Sequence, residues 1–537
     1  MLTYSFENIG SQHLYEYLYH CIKTDIINGV ISSGEKLPSK RSFAKNLGIS
    51  TITVENAYEQ LIAEGYIYSV AKKGYYVADI TIIETLHPLQ SLNAVSNDTK
   101  YYNASANQDN FISNNNYPVT QNNLTSGNNY PVTQNNLISN NNYPITQNTI
   151  MPNNTAFAAQ ANFLSSNDTY QSYKIDLTSN KTPAAMFPFY TWSKYLREVI
   201  TNQSDALLQA CPSGGIYDLR CAISHHLRDF RGMTVNPEQI IIGAGTEYLY
   251  GLIIQLLGRN YTFAMEEPCY SKIRKIYKSN DVVCKSIIMD EQGVDIHALC
   301  KSNANIIHIS PSHHFPTGIV TSIKRRYELL SWAMNNKDRY IIEDDYDSEF
   351  RLSGKPIPSL QSIDKTGHVI YINTFTKSLT PTIRISYMIL PNNLLHLFNK
   401  KLGFYSCTVS NFEQYTLARF IETGHFEKHI NRMRLYYRKQ RNQFIDALEH
   451  SPIADKITID KADSGIHFLM KIDTNLSDKQ LIERAYQNGL KFSCLSDYYE
   501  NSIYAKNGII VINYSALSSE NINTTVKLLC KTILHSF

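Results

Sequence analysis

Apolar positions follow two different rhythms along this chain, and a long stretch with neither rhythm separates them. Near the N-terminus the rhythm is helical. Leu14, Leu18, Ile22 and Ile26 share one face, which predicts a first helix from Leu14 to Gly29. Gly34 and Pro38 then interrupt the chain. Ser39 can cap a short second helix, Lys40 to Leu47, and Gly48 supplies a tight turn. Ser50 can cap a third helix running to about Glu64. In it Val54, Ala57, Tyr58 and Leu61 fall at i, i+3, i+4 and i+7 and face inward, leaving Thr51, Thr53, Glu55 and Asn56 nearer the exposed side. Tyr66 to Ser69 and Tyr75 to Val77 predict a hairpin around Lys72-Lys73-Gly74.

The second rhythm begins near residue 173. Short β-branched runs alternate with helical stretches such as Lys324 to Asn335. The runs are Ile240 to Ile242, Thr262 to Met265, Ile306 to Ile309, Tyr340 to Ile342 and Val369 to Ile372. This alternation predicts an α/β domain with a largely parallel sheet, and its length leaves room for a smaller C-terminal lobe. Between the two rhythms, residues 79–172 are crowded with Asn, Gln, Ser and Thr. A short unit recurs there around Tyr117, Tyr130 and Tyr143, at a spacing of 130−117 = 143−130 = 13 residues. So polar a unit buries too little apolar surface to offset chain entropy, and the segment reads as a disordered tether. Three parts are therefore expected: 1–78, 79–172 and 173–537.

Composition narrows the setting. Nine cysteines, an odd number without a C-x-x-C pair, argue against a disulfide framework or a zinc site and for a reducing cytosol. The N-terminus has no basic-then-apolar signal pattern, and no apolar run approaches the roughly 20 residues needed to span a bilayer. A cytoplasmic protein with no metal and no membrane partner is expected. A net charge of only +3 does not announce a nucleic-acid binder. In residues 1–78 seven basic residues (Lys23, Lys36, Lys40, Arg41, Lys45, Lys72, Lys73) meet seven acidic ones (Glu7, Glu16, Asp25, Glu35, Glu55, Glu59, Glu64). Most of the cations nevertheless cluster on the second helix, its approach and the hairpin, which makes a local binding face.

Two short helices joined by a glycine turn form a helix-turn-helix, whose last helix enters the major groove of double-stranded DNA. The run Gly34 to Ser50, with Thr53-Val54, Ala57 to Leu61 and Glu64-Gly65-Tyr66, resembles the GntR family of winged helix-turn-helix regulators over nearly all of residues 11–78. The resemblance implies that Arg41 touches phosphate or base, that Ser50, Thr51 and Thr53 approach the operator, and that Lys73 and Gly74 reach the minor groove. The family usually carries Arg where this chain has Thr51. Modest affinity per domain makes dimeric binding to paired half-sites the expectation.

In the second part, three strand ends carry polar chemistry. One runs into Glu343-Asp344-Asp345-Tyr346-Asp347. Another runs into Asn373-Thr374-Phe375-Thr376-Lys377, with Arg384 seven residues beyond the lysine. The third runs into Ser310 to Gly318. Ligands of open parallel sheets bind at the carboxyl ends of strands, so carboxylate, lysine and polar turn converge on one crevice. Pyridoxal 5'-phosphate needs a lysine for its aldehyde, a carboxylate for its pyridine nitrogen, and Arg and hydroxyl groups for its phosphate. The loop Gly243 to Glu247 offers further backbone donors. Each feature alone has a plain structural reading, a surface lysine or an acidic loop. Their joint occurrence at strand ends is what points to a site.

Together these segments resemble fold-type I aminotransferases, and more closely the MocR regulators, in which a GntR domain precedes such a domain. By that resemblance Lys377 is the Schiff-base lysine, Asp344 pairs with the pyridine nitrogen, and Tyr346 hydrogen-bonds the ring hydroxyl. Arg384, Thr374, Thr376, Gly245 and Thr246 hold the phosphate, Tyr270 stacks on the ring, and the His313–Gly318 turn flanks it. Two departures stand out. Phe315 replaces the Asn that aminotransferases place before Pro-Thr-Gly, and the run Ile509 to Tyr514 has no Arg to clamp a substrate carboxylate. Little or no transaminase turnover follows. The resemblance implies a regulator that senses pyridoxal phosphate, alone or with an amine or amino acid, and works as a head-to-tail homodimer. The segment Leu495 to Tyr499 resembles regulators of vitamin B6 synthesis. The alternative is a working aminotransferase with an accessory DNA-binding domain.

Overall fold

Helix and strand signals in the N-terminal region are realised nearly as read. The computed structural model describes residues 2, 4, 6, 13–70, 73–79, 173–352, 357–460, 462 and 465–534. Helix α1 (Leu14–Ile27) ends two residues before the expected Gly29, because Gly29 takes φ 72° and donates its N–H to the Ile26 carbonyl. Helix α2 (Lys40–Leu47) is capped by Ser39, which accepts from the Ser42 N–H, and α3 (Thr51–Glu64) by Ser50, which accepts from the Thr53 N–H. Val54, Ala57, Tyr58 and Leu61 are all fully buried. Strand β1 (Lys36–Leu37) joins the hairpin of β2 (Ile67–Val70) and β3 (Gly74–Val77) in the order β1-β3-β2. A two-residue strand has no periodicity, so β1 left no trace in the pattern. Lys72 of the hairpin turn and the expected tether, apart from Asp79, lie outside the described residues.

The large domain is built on an eight-stranded sheet. Its strands are β5 (Ile240–Gly243), β6 (Phe263–Glu267), β7 (Cys284–Asp290), β8 (Gly293–Val294), β9 (Ile306–Ile309), β10 (Tyr340–Asp344), β11 (Val369–Thr374) and β12 (Ser386–Ile389), in the order β5-β12-β11-β10-β9-β6-β7-β8. The pairs β6–β7, β6–β9, β9–β10 and β10–β11 are parallel, whereas β12 runs antiparallel to both β11 and β5. Helical layers bury both faces, which is why the central strands read as unbroken apolar runs. The carboxyl ends of β5, β6, β9, β10 and β11 therefore open on one edge.

A smaller lobe follows. Four antiparallel strands, β13 (Ile457–Asp460), β14 (His467–Ile472), β16 (Ser493–Cys494) and β17 (Ile509–Asn513), order as β13-β14-β17-β16. The short β4 (Ile175–Asp176) pairs with β15 (Leu490–Lys491), so residues just after 172 belong to this lobe. Two helices of the large domain bear on function: α4 (Thr246–Leu257) and α5 (Ile323–Met334). Ile323, with the half-buried Tyr327, packs into the core of the winged helix-turn-helix module. Beside them Lys324 Nζ lies 3.3 Å from an Asp79 carboxylate oxygen.

Candidate functional site

Three consecutive acids close β10, and strand alternation sorts them. Glu343 and Asp345 point to one face. Glu343 accepts the backbone N–H groups of Leu360 (2.8 Å) and Gln361 (2.9 Å). Asp345 pairs with the buried Arg231 at 2.6 Å and accepts the Tyr371 hydroxyl at 2.7 Å. Asp344 points the other way, into a cavity of about 500 Å³ at the carboxyl ends of the strands. Its Oδ2 accepts from the Tyr250 hydroxyl at 2.5 Å and lies 3.3 Å from His308 Nε2. Its Oδ1 is buried and has no partner among the described residues. An orphaned, buried carboxylate oxygen is costly unless a donor reaches it.

Lys377 lines the same cavity from the turn after β11. Burial pushes its amine down to about 8, and the nearby Asp347 carboxylate opposes part of that fall. A free amine near neutral pH is a nucleophile. Tyr346 also lines the cavity, its hydroxyl 3.4 Å from His313 Nδ1, and that imidazole in turn pairs with Asp347 at 2.8 Å. Glu266 faces in from β6, and burial lifts its carboxyl to about 8 despite the Ser310 N–H that it accepts.

Hydroxyl and guanidinium groups gather at one side. The Ser386 hydroxyl donates to Thr374 Oγ1 at 2.7 Å, and Thr374 donates to Thr376 Oγ1 at 2.8 Å. Thr246 opens α4, where backbone N–H groups lack helical partners and favour an anion. Gly245 before it has φ 94°, and a Cβ there would collide with the Arg384 guanidinium. Arg384 also donates to the Ala244 carbonyl at 3.3 Å. Tyr270 is 46% exposed at the mouth, edge-on to Phe315 at 5.9 Å between ring centroids. Thus Lys377, Asp344, Tyr346, Arg384, Thr374, Thr376, Tyr270 and Thr246 all line one cavity, with Gly245 adjoining it.

Among the lining residues that sequence reasoning did not single out are Asn180, Tyr250, His308 and His467. His308 carried a readable signal, a polar ring inside the aliphatic run Ile306–Ile309. His467 carried none, because it meets Asn513, in the run already noted for its missing Arg, only through the pairing of β14 with β17.

On the winged helix-turn-helix module, Arg41, Ser50, Thr51 and Lys73 are exposed, whereas Thr53 is half-buried with its hydroxyl 2.8 Å from that of Ser50. Gly74 opens β3 with φ 115°. Ile52, also unremarked in the sequence, is 67% exposed beside Thr51. Glu55 pairs with Lys40 at 2.7 Å, so the two charges cancel each other on that face.

Comparisons with known proteins agree with this two-part build. Residues 14–77 match the bacterial regulatory proteins of the gntR family, and residues 157–529 match the aminotransferase class I and II family. The HTH-type transcriptional regulator YdeL of Bacillus subtilis is 33% identical over 514 residues, covering 96% of this chain and 95% of the relative. The probable rhizopine catabolism regulatory protein MocR of Rhizobium meliloti is 27% identical, covering 91% and 88%. The HTH-type pyridoxine biosynthesis transcriptional regulator PdxR of Corynebacterium glutamicum is 26% identical, covering 91% and 89%. Among solved structures, the kynurenine aminotransferase of Pyrococcus horikoshii superposes with a TM-score of 0.61 at 23% identity, over 72% of this chain and 95% of that one, a likeness of fold. A gntR-type reading head joined to a class I and II aminotransferase fold, with full-length relatives of the same build, means that this chain belongs to the MocR subfamily of transcription regulators.

Proposed function

We propose that this chain binds pyridoxal 5'-phosphate in the cavity and that the bound cofactor, alone or with an amine, alters how its dimer engages operator DNA. The observation that carries the reading is the orphaned Asp344 Oδ1 in the cavity that Lys377 also lines. A protonated pyridine nitrogen is the donor that such an oxygen lacks. When bound, the cofactor supplies an aldehyde for a lysine amine and a ring that accepts electrons. Lys377 offers the amine. Arg384, Thr374, Thr376, Thr246 and the Gly245 backbone hold the phosphate, Tyr346 meets the ring hydroxyl, and Tyr270 covers the ring face. Phe315 and Asn513 provide no cation for a substrate carboxylate, which favours sensing over turnover. Arg41, Ser50, Thr51, Thr53, Lys73 and Gly74 form the DNA face. In a head-to-tail pair of two cytoplasmic chains, the DNA module would exchange the α5 surface of its own chain for that of the other.

The absorption spectrum of purified protein tests this reading. A band at about 420 nm is expected on adding pyridoxal phosphate, and Lys377→Ala should abolish it. A band that survives the substitution would sink the assignment. Turnover with amino acid and keto acid should stay well below about 1 s⁻¹. Faster turnover would make the chain an enzyme.

A further inference from the structure

Beyond the ring and phosphate groups, the cavity has a third polar end, where β14 and β17 of the small lobe meet the segment after β4. His467 and Asn513 are directly opposed in the antiparallel pairing, so their side chains share one face. Both are buried and both line the cavity with Asn180. Asn513 Nδ2 donates to Asn180 Oδ1 at 2.5 Å, and Asn513 Oδ1 accepts the Ser515 N–H at 2.9 Å. These bonds fix the Asn513 amide with one N–H still free, and the amide nitrogen of Asn180 adds further donors. His467 is 2% exposed, and its Nε2 has no partner among the described residues. Burial and the neighbouring His313 hold this ring well below its ordinary pKa, so it is neutral. With its proton on Nδ1, the neutral ring presents the unpartnered Nε2 as a lone-pair acceptor.

We infer that this end of the cavity recognises an uncharged group carrying both an acceptor and a donor, a carboxamide or a hydroxyl, on a small primary amine. The amide N–H groups of Asn513 and Asn180 meet its oxygen, and its N–H or O–H meets His467 Nε2. A carboxylate fits badly here: it would face the His467 lone pair and lose its hydration, while Lys377, the buried cation of the described lining, is committed to the cofactor. Lys181, the nearest cation in sequence, is exposed at the mouth, where water competes for it. The inference rests on the pyridoxal phosphate reading, because the amine must enter beside Lys377.

The full chain loaded with pyridoxal phosphate, titrated calorimetrically with L-alaninamide and L-alanine, tests it. The two amines differ in basicity, and that difference cancels when the ratio of their Kd values is compared between variants. The wild type should bind alaninamide. Asn513→Arg should move the ratio at least about tenfold toward alanine. Asn180→Ala, at an exposed position that spares the strand, should weaken alaninamide about tenfold and alanine less than about twofold. A ratio unmoved by both substitutions would overturn the inference, as would failure of the wild type to bind alaninamide while its band at about 420 nm persists. Absence of that band in the wild type would instead overturn the cofactor reading and this inference with it.

Discussion

At the scale of single residues, adjacent carboxylates divide structural from binding duties by the direction each faces. Asp345 and Arg231 are almost completely buried against each other, so Asp345→Ala leaves an uncompensated guanidinium and should cost about 3–5 kcal/mol in denaturant unfolding. Asp344→Asn keeps an acceptor for the Tyr250 hydroxyl and should change stability by less than about 1 kcal/mol. It should nevertheless release pyridoxal phosphate at least about tenfold faster, since the neutral amide cannot pair with a protonated ring nitrogen. A large loss of stability in Asp344→Asn would contradict this division. Lys377 sets a pH dependence. Its pKa of about 8 in the fold lies below its ordinary 10.5. Between those values the unfolded chain binds more protons, so this group makes the cofactor-free protein more stable as pH rises through that window. The same depression governs cofactor uptake: followed at about 420 nm, its rate should rise roughly tenfold from pH 7 to 9 and then level off. A rate still climbing several-fold between pH 9 and 10 would mean an unperturbed lysine.

At the scale of elements, what could be read in advance depended on whether the stabilising partners were local. Helix α2 and strand β9 have the bounds that their apolar spacing and caps gave, since Ser39, Gly48 and the run Ile306–Ile309 sit within the element itself. Strands β10 and β11 each extend two residues further than their apolar runs, to Asp344 and Thr374, because polar side chains there find partners on other elements. The positions of Lys377, Asp344 and Arg384 in the cavity were legible because strand ends share an edge. The His467–Asn513 pair was not, because register between distant strands leaves no local mark. Helix α5 is the other illegible element. Ile323 and Tyr327 look like ordinary positions of an amphipathic helix, yet they complete the core of the DNA-reading module. One turn away, the buried Arg326 donates to the carbonyls of Pro311 (2.8 Å) and Thr321 (3.0 Å), which bracket the turn bearing His314 and Phe315. Ile323→Asp places a charge in that shared core and should detach the module. A separate low-temperature unfolding transition in calorimetry, with the cofactor band intact, is the expected result. A single unchanged transition would show that the contact contributes little.

At the scale of the whole molecule, a sensor needs more than two sites. Cofactor and operator must each discriminate between the same two arrangements of the chain, and linkage then makes their effects equal. If pyridoxal phosphate changes operator affinity by some factor, the operator must change pyridoxal phosphate affinity by that same factor. The contact at α5 is the physical candidate for the shared element, since it touches the DNA-reading module on one side and, through Arg326, the cavity-lining turn on the other. Two variants separate reading from coupling. Arg41 is exposed on α2 and takes no part in the cavity lining, so Arg41→Ala should weaken operator binding in gel shifts while cofactor content stays at the wild-type level. Ile323→Asp should leave cofactor affinity near the wild-type value yet bring the coupling factor to about one in both directions. Measuring each affinity with and without the other ligand closes the cycle. A coupling factor that survives Ile323→Asp would mean that the two sites communicate by another route, and α5 would then be only a resting place for the DNA-reading module.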